Sequence, residues 1–188
     1  MRRVIPRIRP FVSGNLVKFL ICILPALLST SSLVYAAPVS SDVIPAPALI
    51  NSLKSGGYVI YVRHAITDHS QRDQDRQNLD NCNKQRNLSP EGRDQAIRVG
   101  RTLKALNIPV GNVTSSPYCR CKDTAELIFG DYDIDPLLSF SISKKRIESE
   151  KLGQHLYKLM TNARPEHTNT VFVGHTSNLR DGLGIWPK

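Results

Sequence analysis

Residues 58–70 read YVIYVRHAITDHS, an apolar run that leads directly into Arg63 and His64. The apolar residues are continuous rather than alternating, which is typical of a strand covered on both faces in a parallel sheet. An arginine and a histidine at the end of such a strand have two interpretations. They belong either to a strand end that meets water or to a site that meets a phosphate. The rest of the sequence has to decide between the two.

Apolar runs and amphipathic segments alternate through the remaining chain, which predicts a three-layer α/β/α fold with a mostly parallel central sheet. Ser89 and Ser116 each precede a proline and are the expected helix caps. Ala96, Val99, Leu103 and Leu106 fall on one face of the first of these helices. The predicted helices cover 48–55, 88–108, 116–130 and 152–163, with strands at 58–62, 109–116 and 170–173 and a further strand within 134–141.

Residues 67–87 are polar throughout and predict a long loop. Its Asp68, His69, Asp73 and Asp75 match no known metal-ligand spacing. We therefore interpret this segment as a solvated loop and expect no metal site there.

The first 36 residues have a basic start, an apolar centre and a V-Y-A ending, the layout of a secretory signal peptide. We expect cleavage between Ala36 and Ala37, a linker over 37–47 and one domain over 48–188. An uncleaved membrane anchor is the alternative, and only that alternative implies a membrane partner. Either way the domain is exported, to the periplasm or as a secreted protein.

The formal net charge of +9 invites a nucleic-acid interpretation, but five of the 25 basic residues precede the first acidic one. The remainder carries 20 Lys and Arg against 16 Asp and Glu and has no basic stripe interleaved with aromatic residues. We therefore expect no nucleic-acid partner.

Cys82, Cys119 and Cys121 remain once the signal segment is set aside. Export permits a disulfide, and an odd count leaves one thiol over. We expect Cys82 to pair with Cys119 or Cys121, and the assigned pair is Cys82 with Cys121. The C-x-C spacing does not fit the usual zinc sites.

Three predicted strands are followed by groups that seek anions. The first gives Arg63 and His64, the second gives Arg120 at the start of the next helix, and the last gives His175. Ligands of such sheets bind at the carboxyl ends of the strands. We therefore expect two arginines and two histidines to converge at one edge.

With these residues in place, the sequence resembles the histidine phosphatase superfamily, the fold shared with cofactor-dependent phosphoglycerate mutase. The family signature Arg-His-Gly appears as Arg63-His64-Ala65. LSxxGxxQA appears as LSPEGRDQA, SSPxxRxxxTA as SSPYCRCKDTA, and the late Gly-His as Gly174-His175. The order matches from Tyr58 to Leu179. The departures are Ala65 for glycine, Ile66 where many members have glutamate, and a C-terminus that comes soon after His175.

The resemblance implies a phosphomonoester hydrolase that works through a phosphohistidine at His64, without a cofactor. Arg63, Thr67, Arg120 and His175 would bind the phosphoryl group. The general acid is unassigned, with Asp68, Glu148 and Glu150 as candidates. The implied partner is a phosphorylated small molecule, glycan or phosphoprotein. A mutase is a rival enzyme, and the rival of another class is an inactive member that binds a phosphorylated or anionic ligand.

Overall fold

The computed structural model describes residues 46–142 and 144–187. The predicted signal peptide, its cleavage point and most of the predicted linker lie outside the described residues. The helices are α1 (Ala46–Lys54), α2 (Pro90–Ala105), α3 (Cys119–Phe129), α4 (Arg146–Asn162) and α5 (Thr176–Leu183). The strands are β1 (Val59–Arg63), β2 (Val110–Ser115), β3 (Asp133–Ile134) and β4 (Asn169–Gly174), and 3₁₀ turns cover Cys82–Lys84 and Pro136–Leu138.

The four strands form one parallel sheet in the order β1-β4-β2-β3. In the register of this sheet, Arg63 lies opposite Gly174, and Ser115 lies opposite Val173. Because the strands run in the same direction, β1, β4 and β2 end side by side at one edge. The residues that follow these three strands therefore meet, as the sequence predicts.

Strand β4 shows why the strands are apolar on both faces. Val171 and Val173 pack with Cys121 and Ala125 of α3, whereas Phe172 points the other way and packs with Leu156 of α4. Helix α2 packs against α3, and α4 packs against α5. Helices thus cover both faces of the sheet, and the predicted three-layer α/β/α fold is confirmed.

Helix α2 begins as its sequence predicts. The Ser89 side chain accepts a hydrogen bond of 3.1 Å from the Gly92 N–H, and Pro90 takes the first helical position. The expected inner stripe is only partly right, because Ala96 is buried but Val99 is 40% exposed. Val99 lines a surface cavity beside the end of β1 instead of the core.

Helix α3 begins later than predicted, at Cys119, with Tyr118 as a cap that makes no side-chain hydrogen bond. Ser116 is not the cap, because its hydroxyl lies 3.1 Å from Nε2 of His175. The predicted end is right, since Gly130 follows the helix with a positive φ of 89° that favours glycine.

The segment after α3 holds less strand than its apolar residues suggest, because β3 has two residues and a 3₁₀ turn follows it. Helix α5 has eight residues and follows β4 directly after His175. None of the helices within the described ranges is both long and apolar enough to cross a membrane.

Candidate active site

The site is built where β1, β4 and β2 end. His64 follows β1 and His175 follows β4, and their ring centroids are 5.4 Å apart. The His64 N–H donates to the Gly174 carbonyl at 3.0 Å, which continues the ladder between the two strands by one residue. The parallel register thus brings together two histidines that lie more than a hundred positions apart in the chain.

The LSPEGRDQA segment holds the backbone just beyond His64. The Ser89 N–H donates to the Ile66 carbonyl at 3.1 Å, and the Gln95 side-chain oxygen accepts from the Ile66 N–H at 3.2 Å. A Cβ atom on Gly92 would lie 1.9 Å from the Ile66 carbonyl oxygen. Only glycine therefore permits this close approach, which gives a physical reason for the serine, glycine and glutamine of the motif.

Thr124, from the SSPYCRCKDTA segment, holds the preceding peptide. Its hydroxyl accepts from the Ala65 N–H at 3.0 Å and donates to the Arg120 carbonyl at 2.7 Å. One buried side chain thus connects the turn after His64 to the helix that carries Arg120. Two motifs far apart in sequence fix the same short backbone.

His64 is held as a neutral imidazole. Its Nδ1 lies 2.8 Å from the Ala65 carbonyl oxygen. A carbonyl can only accept, so Nδ1 carries the proton and Nε2 keeps its lone pair. Burial, and secondarily the charges of Arg120, Arg63 and Arg86, lower the pKa of His64 to about 3, against the opposing effect of the Ala65 hydrogen bond. The imidazole is therefore uncharged at neutral pH.

Arg120 is fully buried, and only part of its guanidinium group makes hydrogen bonds to described residues. Nη1 donates to Oδ1 of Asp73 at 2.9 Å and to the Arg86 carbonyl at 3.4 Å. Nε and Nη2 are buried without a hydrogen-bond partner among the described residues. These two nitrogens form one edge of the planar group, the edge that binds two oxygens of a carboxylate or phosphate side by side.

Aromatic rings fix the positions of Arg120 and His175. The Arg120 guanidinium lies 4.5 Å from the Tyr118 ring and 5.6 Å from the Phe140 ring. The His175 ring contacts both rings edge-on, with centroid distances of 5.0 and 5.3 Å. Burial, and then the charges of Arg120, His64, Arg63 and Arg86, lower the pKa of His175 well below its usual value. His175 is therefore also a neutral imidazole.

Arg63 and Thr67 share a cavity with His64. Arg63 is exposed, Thr67 is buried, and both line a cavity of about 380 Å³ together with His64. Arg120 and His175 are not part of the lining of that cavity. Of the predicted residues, the structure brings His64, Arg120 and His175 into one buried cluster, whereas Arg63 and Thr67 line the cavity that also reaches His64.

The loop over 67–87 was expected to be solvated, and for Asp73 this is wrong. Its side chain is only 7% exposed because it pairs with Arg120 and accepts a 3.0 Å hydrogen bond from the Arg86 N–H. Arg86 is half-buried, with its Nε buried and without a partner in the described chain. Sequence reasoning missed both residues, because nothing in a polar loop marks which of its charges turn inward.

A disulfide fastens this loop to α3, and it joins Cys82 to Cys119 rather than to the assigned Cys121. Residues 119 and 121 of a helix point to nearly opposite sides, since each residue turns by 100°. Cys121 faces the sheet, where it is a free buried thiol whose pKa is raised to about 12 by burial. Cys119 faces the loop. The inward position of Cys121 on its helix was the signal that could have selected the right partner.

The charge of the cluster suits a doubly negative ligand. Arg63, Arg86 and Arg120 contribute three positive charges, both histidines are neutral, and Asp73 offsets one charge. Within the described ranges, no group of three or more His, Cys, Asp or Glu residues is placed to hold a metal ion. The arrangement can bind a phosphate dianion and present the lone pair of an imidazole to it.

Comparison with known proteins agrees with this geometry. Residues 59–139 match the model of the histidine phosphatase superfamily, branch 1. The match includes Arg63, His64, Thr67 and Arg120 and ends before His175. No curated protein matches the sequence.

Solved structures share the fold at low sequence identity. The product of open reading frame Rv3214 from Mycobacterium tuberculosis is 18% identical with a TM-score of 0.51, over 66% of this chain and 77% of that one. Phosphoserine phosphatase from Entamoeba histolytica, in complex with 3-phosphoglyceric acid, is 19% identical with a TM-score of 0.47, over 69% and 81%. The protein histidine phosphatase SixA, complexed with tungstate, is 14% identical with a TM-score of 0.43, over 67% and 74%.

At these identities the similarity concerns the fold alone. It rests on the mycobacterial structure, the one of the three whose TM-score exceeds 0.5. The described chain therefore has the phosphoglycerate-mutase-like α/β fold, and its residues 59–139 match the histidine phosphatase superfamily.

Proposed function

We propose that this protein is a phosphomonoester hydrolase of the histidine phosphatase type, which transfers the phosphoryl group to His64 and then to water. The observation that supports it most is the buried Nε and Nη2 edge of Arg120, which has no hydrogen-bond partner in the described ranges and lies in one cluster with two neutral histidines. A buried guanidinium with two unpartnered nitrogens is costly unless an oxyanion accepts their hydrogen bonds. Phosphate is the oxyanion for which the neighbouring nucleophile has a use.

The chemistry follows from the tautomer of His64. The Nε2 lone pair attacks phosphorus, the P–O bond to the leaving group breaks, and the leaving oxygen keeps the electron pair. Water then attacks the phosphohistidine, the P–N bond breaks, and inorganic phosphate and a proton are released. Because His64 is already neutral, no base has to activate it.

The arginines supply the stabilisation that phosphoryl transfer chiefly requires, namely charge and alignment. Arg120 would hold two nonbridging oxygens through its free edge, and Arg63 and Arg86 would add positive charge from the end of β1 and from the loop. Thr67 would add a hydrogen bond to the phosphoryl group, and His175 would contact the third nonbridging oxygen. These roles are those that the family resemblance implies, with Arg86 added from the structure.

The leaving group receives little help from acids in this site. The Asp68 carboxylate accepts hydrogen bonds from the hydroxyl and the N–H of Ser70, and these bonds lower its pKa. Glu150 pairs with Arg146 on the surface of α4, and Glu148 is exposed in the first turn of the same helix. We therefore propose that the natural substrates have leaving groups that depart without a strong acid.

The second candidate is an inactive member that binds a phosphorylated or anionic ligand. One observation favours it: Arg120 is fully buried and does not line the open cavity that reaches His64. Under this proposal, ligand would bind without turnover. The two candidates differ in a single measurable property, the hydrolysis of a simple phosphate ester.

The test is a metal-free assay with p-nitrophenyl phosphate, comparing the parent with His64→Ala. The hydrolase proposal expects turnover in the parent, its near-complete loss in His64→Ala, and full activity in His167→Ala, which changes an exposed histidine. Rapid-quench labelling should place acid-labile, base-stable phosphate on the peptide that contains His64. Turnover that persists in His64→Ala would refute the mechanism, and a parent that only binds phosphate would establish the second candidate.

We further propose that the protein works outside the cytoplasm, on a phosphorylated small molecule, glycan or phosphoprotein. The support is the signal-like pattern of residues 1–36, which lie outside the described residues. Sequencing the N-terminus of the mature protein tests this part, and a start at Ala37 is expected.

A further inference from the structure

We propose that Asp73 is a positioning residue that holds Arg120 with its binding edge free for the phosphoryl group. The proposal rests on the proposed phosphate site and adds a residue that the sequence motifs do not contain. It starts from a difference between the nitrogens of the Arg120 guanidinium. Nη1 has two acceptors, whereas Nε and Nη2 have none among the residues that the structure describes.

The Asp73 carboxylate is itself held in place. Its Oδ1 accepts from Nη1 of Arg120 at 2.9 Å and from the Arg86 N–H at 3.0 Å. Next to it, the Gln74 N–H donates to the Lys84 carbonyl at 2.7 Å, which joins the two arms of the loop. The position of Oδ1 is therefore set by backbone groups and not only by its partner arginine.

The far arm of the loop is fastened to the start of α3, one residue from Arg120. Cys82 is joined to Cys119 by the disulfide. The Gln85 side chain accepts from the Cys119 N–H at 3.0 Å and donates to the Leu79 carbonyl at 2.8 Å. Asp73 thus acts on Arg120 from a loop that is tied to the same helix turn, which suits a fixed support rather than a mobile lid.

Two other roles for a buried carboxylate at this place fit the geometry less well. A carboxylate that imitates the substrate would occupy the Nε and Nη2 edge, but Asp73 binds Nη1 instead, and no described residue binds that edge. A general acid must reach the leaving group, whereas the Asp73 carboxylate is directed at Nη1 of Arg120 and at the Arg86 N–H. Each of the three roles makes a different forecast for the same substitutions.

The positioning role depends on one oxygen atom, because Oδ1 accepts both hydrogen bonds. Asp73→Asn keeps a carbonyl oxygen there, so the kcat/KM of this variant should stay within a few-fold of the parent value. Asp73→Ala removes the oxygen and frees Arg120 to move. Small misplacements of positioning groups can cost about a hundred-fold in rate, and we expect kcat/KM to fall about ten- to a hundred-fold.

The experiment measures kcat and KM with p-nitrophenyl phosphate and with phenyl phosphate, and binding of inorganic phosphate by calorimetry. The matched control is Asp75→Ala, which removes a carboxylate of the same loop that also accepts two N–H bonds but does not contact Arg120. The control should leave both measurements unchanged. Asp73→Ala should lose rate equally with both esters and bind phosphate more weakly.

Other results would overturn the proposal. Faster turnover or tighter phosphate binding in Asp73→Ala would show that the carboxylate blocks the site. A loss that is larger with phenyl phosphate and equal in Asp73→Asn would show a general acid, because a poor leaving group depends more on a proton donor. An Asp73→Ala protein equal to the parent would show no role.

Two outcomes distinguish a failure of the positioning role from a failure of the hydrolase proposal. If the parent binds phosphate but hydrolyses neither ester, the hydrolase proposal fails, and weaker phosphate binding by Asp73→Ala still supports the positioning role. If the parent does not bind phosphate, both proposals fall. Should Asp73→Ala not fold, Asp73→Ser, whose hydroxyl is too short to reach Nη1, takes its place in the same comparison.

Discussion

Arg120→Lys is the substitution that best separates charge from shape in this site. The guanidinium is fully buried, lies 4.5 Å from the Tyr118 ring and is bound to Asp73 through Nη1. Lysine keeps the positive charge but has one nitrogen in place of three. That nitrogen cannot contact the Asp73 carboxylate and also offer two parallel N–H donors to a phosphate.

The magnitude follows from the hydrogen bonds that are lost. Two charge-assisted bonds to phosphate oxygens would form on the free edge of Arg120, and each is worth about 1.5–3 kcal/mol. An ammonium group can restore one of them, so the net loss is roughly one bond. Since about 1.4 kcal/mol is tenfold, phosphate binding should weaken about ten- to a hundred-fold, and kcat/KM should fall at least as much.

The assay is phosphate binding by calorimetry together with hydrolysis of p-nitrophenyl phosphate. Arg93→Lys is the control, because the Arg93 guanidinium pairs with Asp123 at 2.6 Å on the exposed surface of α2 and α3. Exposed pairs of this kind contribute about 0–1 kcal/mol, so the control should match the parent. An Arg120→Lys protein within twofold of the parent in both measurements would refute a bidentate role for Arg120.

Two further outcomes follow from burial and close packing. Burial lowers the pKa of His64 to about 3 and that of His175 well below its usual value, so the unfolded chain takes up protons first as the pH falls. The free energy of unfolding, measured with urea, should therefore decrease as the pH is lowered through the usual histidine range, from about 7 to about 5. His64→Gln should reduce this dependence on pH. In Gly92→Ala the new Cβ would lie 1.9 Å from the Ile66 carbonyl oxygen. The substitution should therefore destabilise the protein by about 1–3 kcal/mol or displace the turn after His64. Thermal unfolding and turnover measure the two effects, and Arg98→Ala, at an exposed position, is the neutral comparison.

The parts of the site that could be predicted are those that follow from strand periodicity. The continuous apolar runs before His64 and His175 mark parallel strands, of which β4 is buried and β1, at the sheet edge, is half-buried. Parallel strands that are neighbours must end together. The placement of His64 and His175 therefore needed only the correct fold class. The start of α2 was equally clear, because serine and proline caps act over a few residues of local sequence.

The parts that could not be predicted depend on contacts between a loop and a helix. Asp73 and Asp75 are two residues apart in one polar segment, yet only Asp73 contacts Arg120. Local sequence does not distinguish them, because the choice is made by where the disulfide and Gln85 fasten the loop. Ser116 was assigned to a cap for a similar reason: its neighbours resemble a helix start, but its hydroxyl has a tertiary partner in His175.

The alanine at position 65 changes how the two functional candidates compare. Glycine would be required there only if the backbone had a positive φ or a neighbour stood too close for a side chain. Among the described non-glycine residues, only Asn107 has a positive φ, so the conformation of Ala65 is one that alanine adopts without strain. Its methyl group packs with Leu88 and Ala96, and its N–H and carbonyl still bind Thr124 and His64. The substitution therefore costs the site neither its geometry nor the tautomer of His64. Position 65 then no longer counts towards an inactive binding protein, whose main structural support is the burial of Arg120, and a phosphate ester that is hydrolysed would decide against it directly.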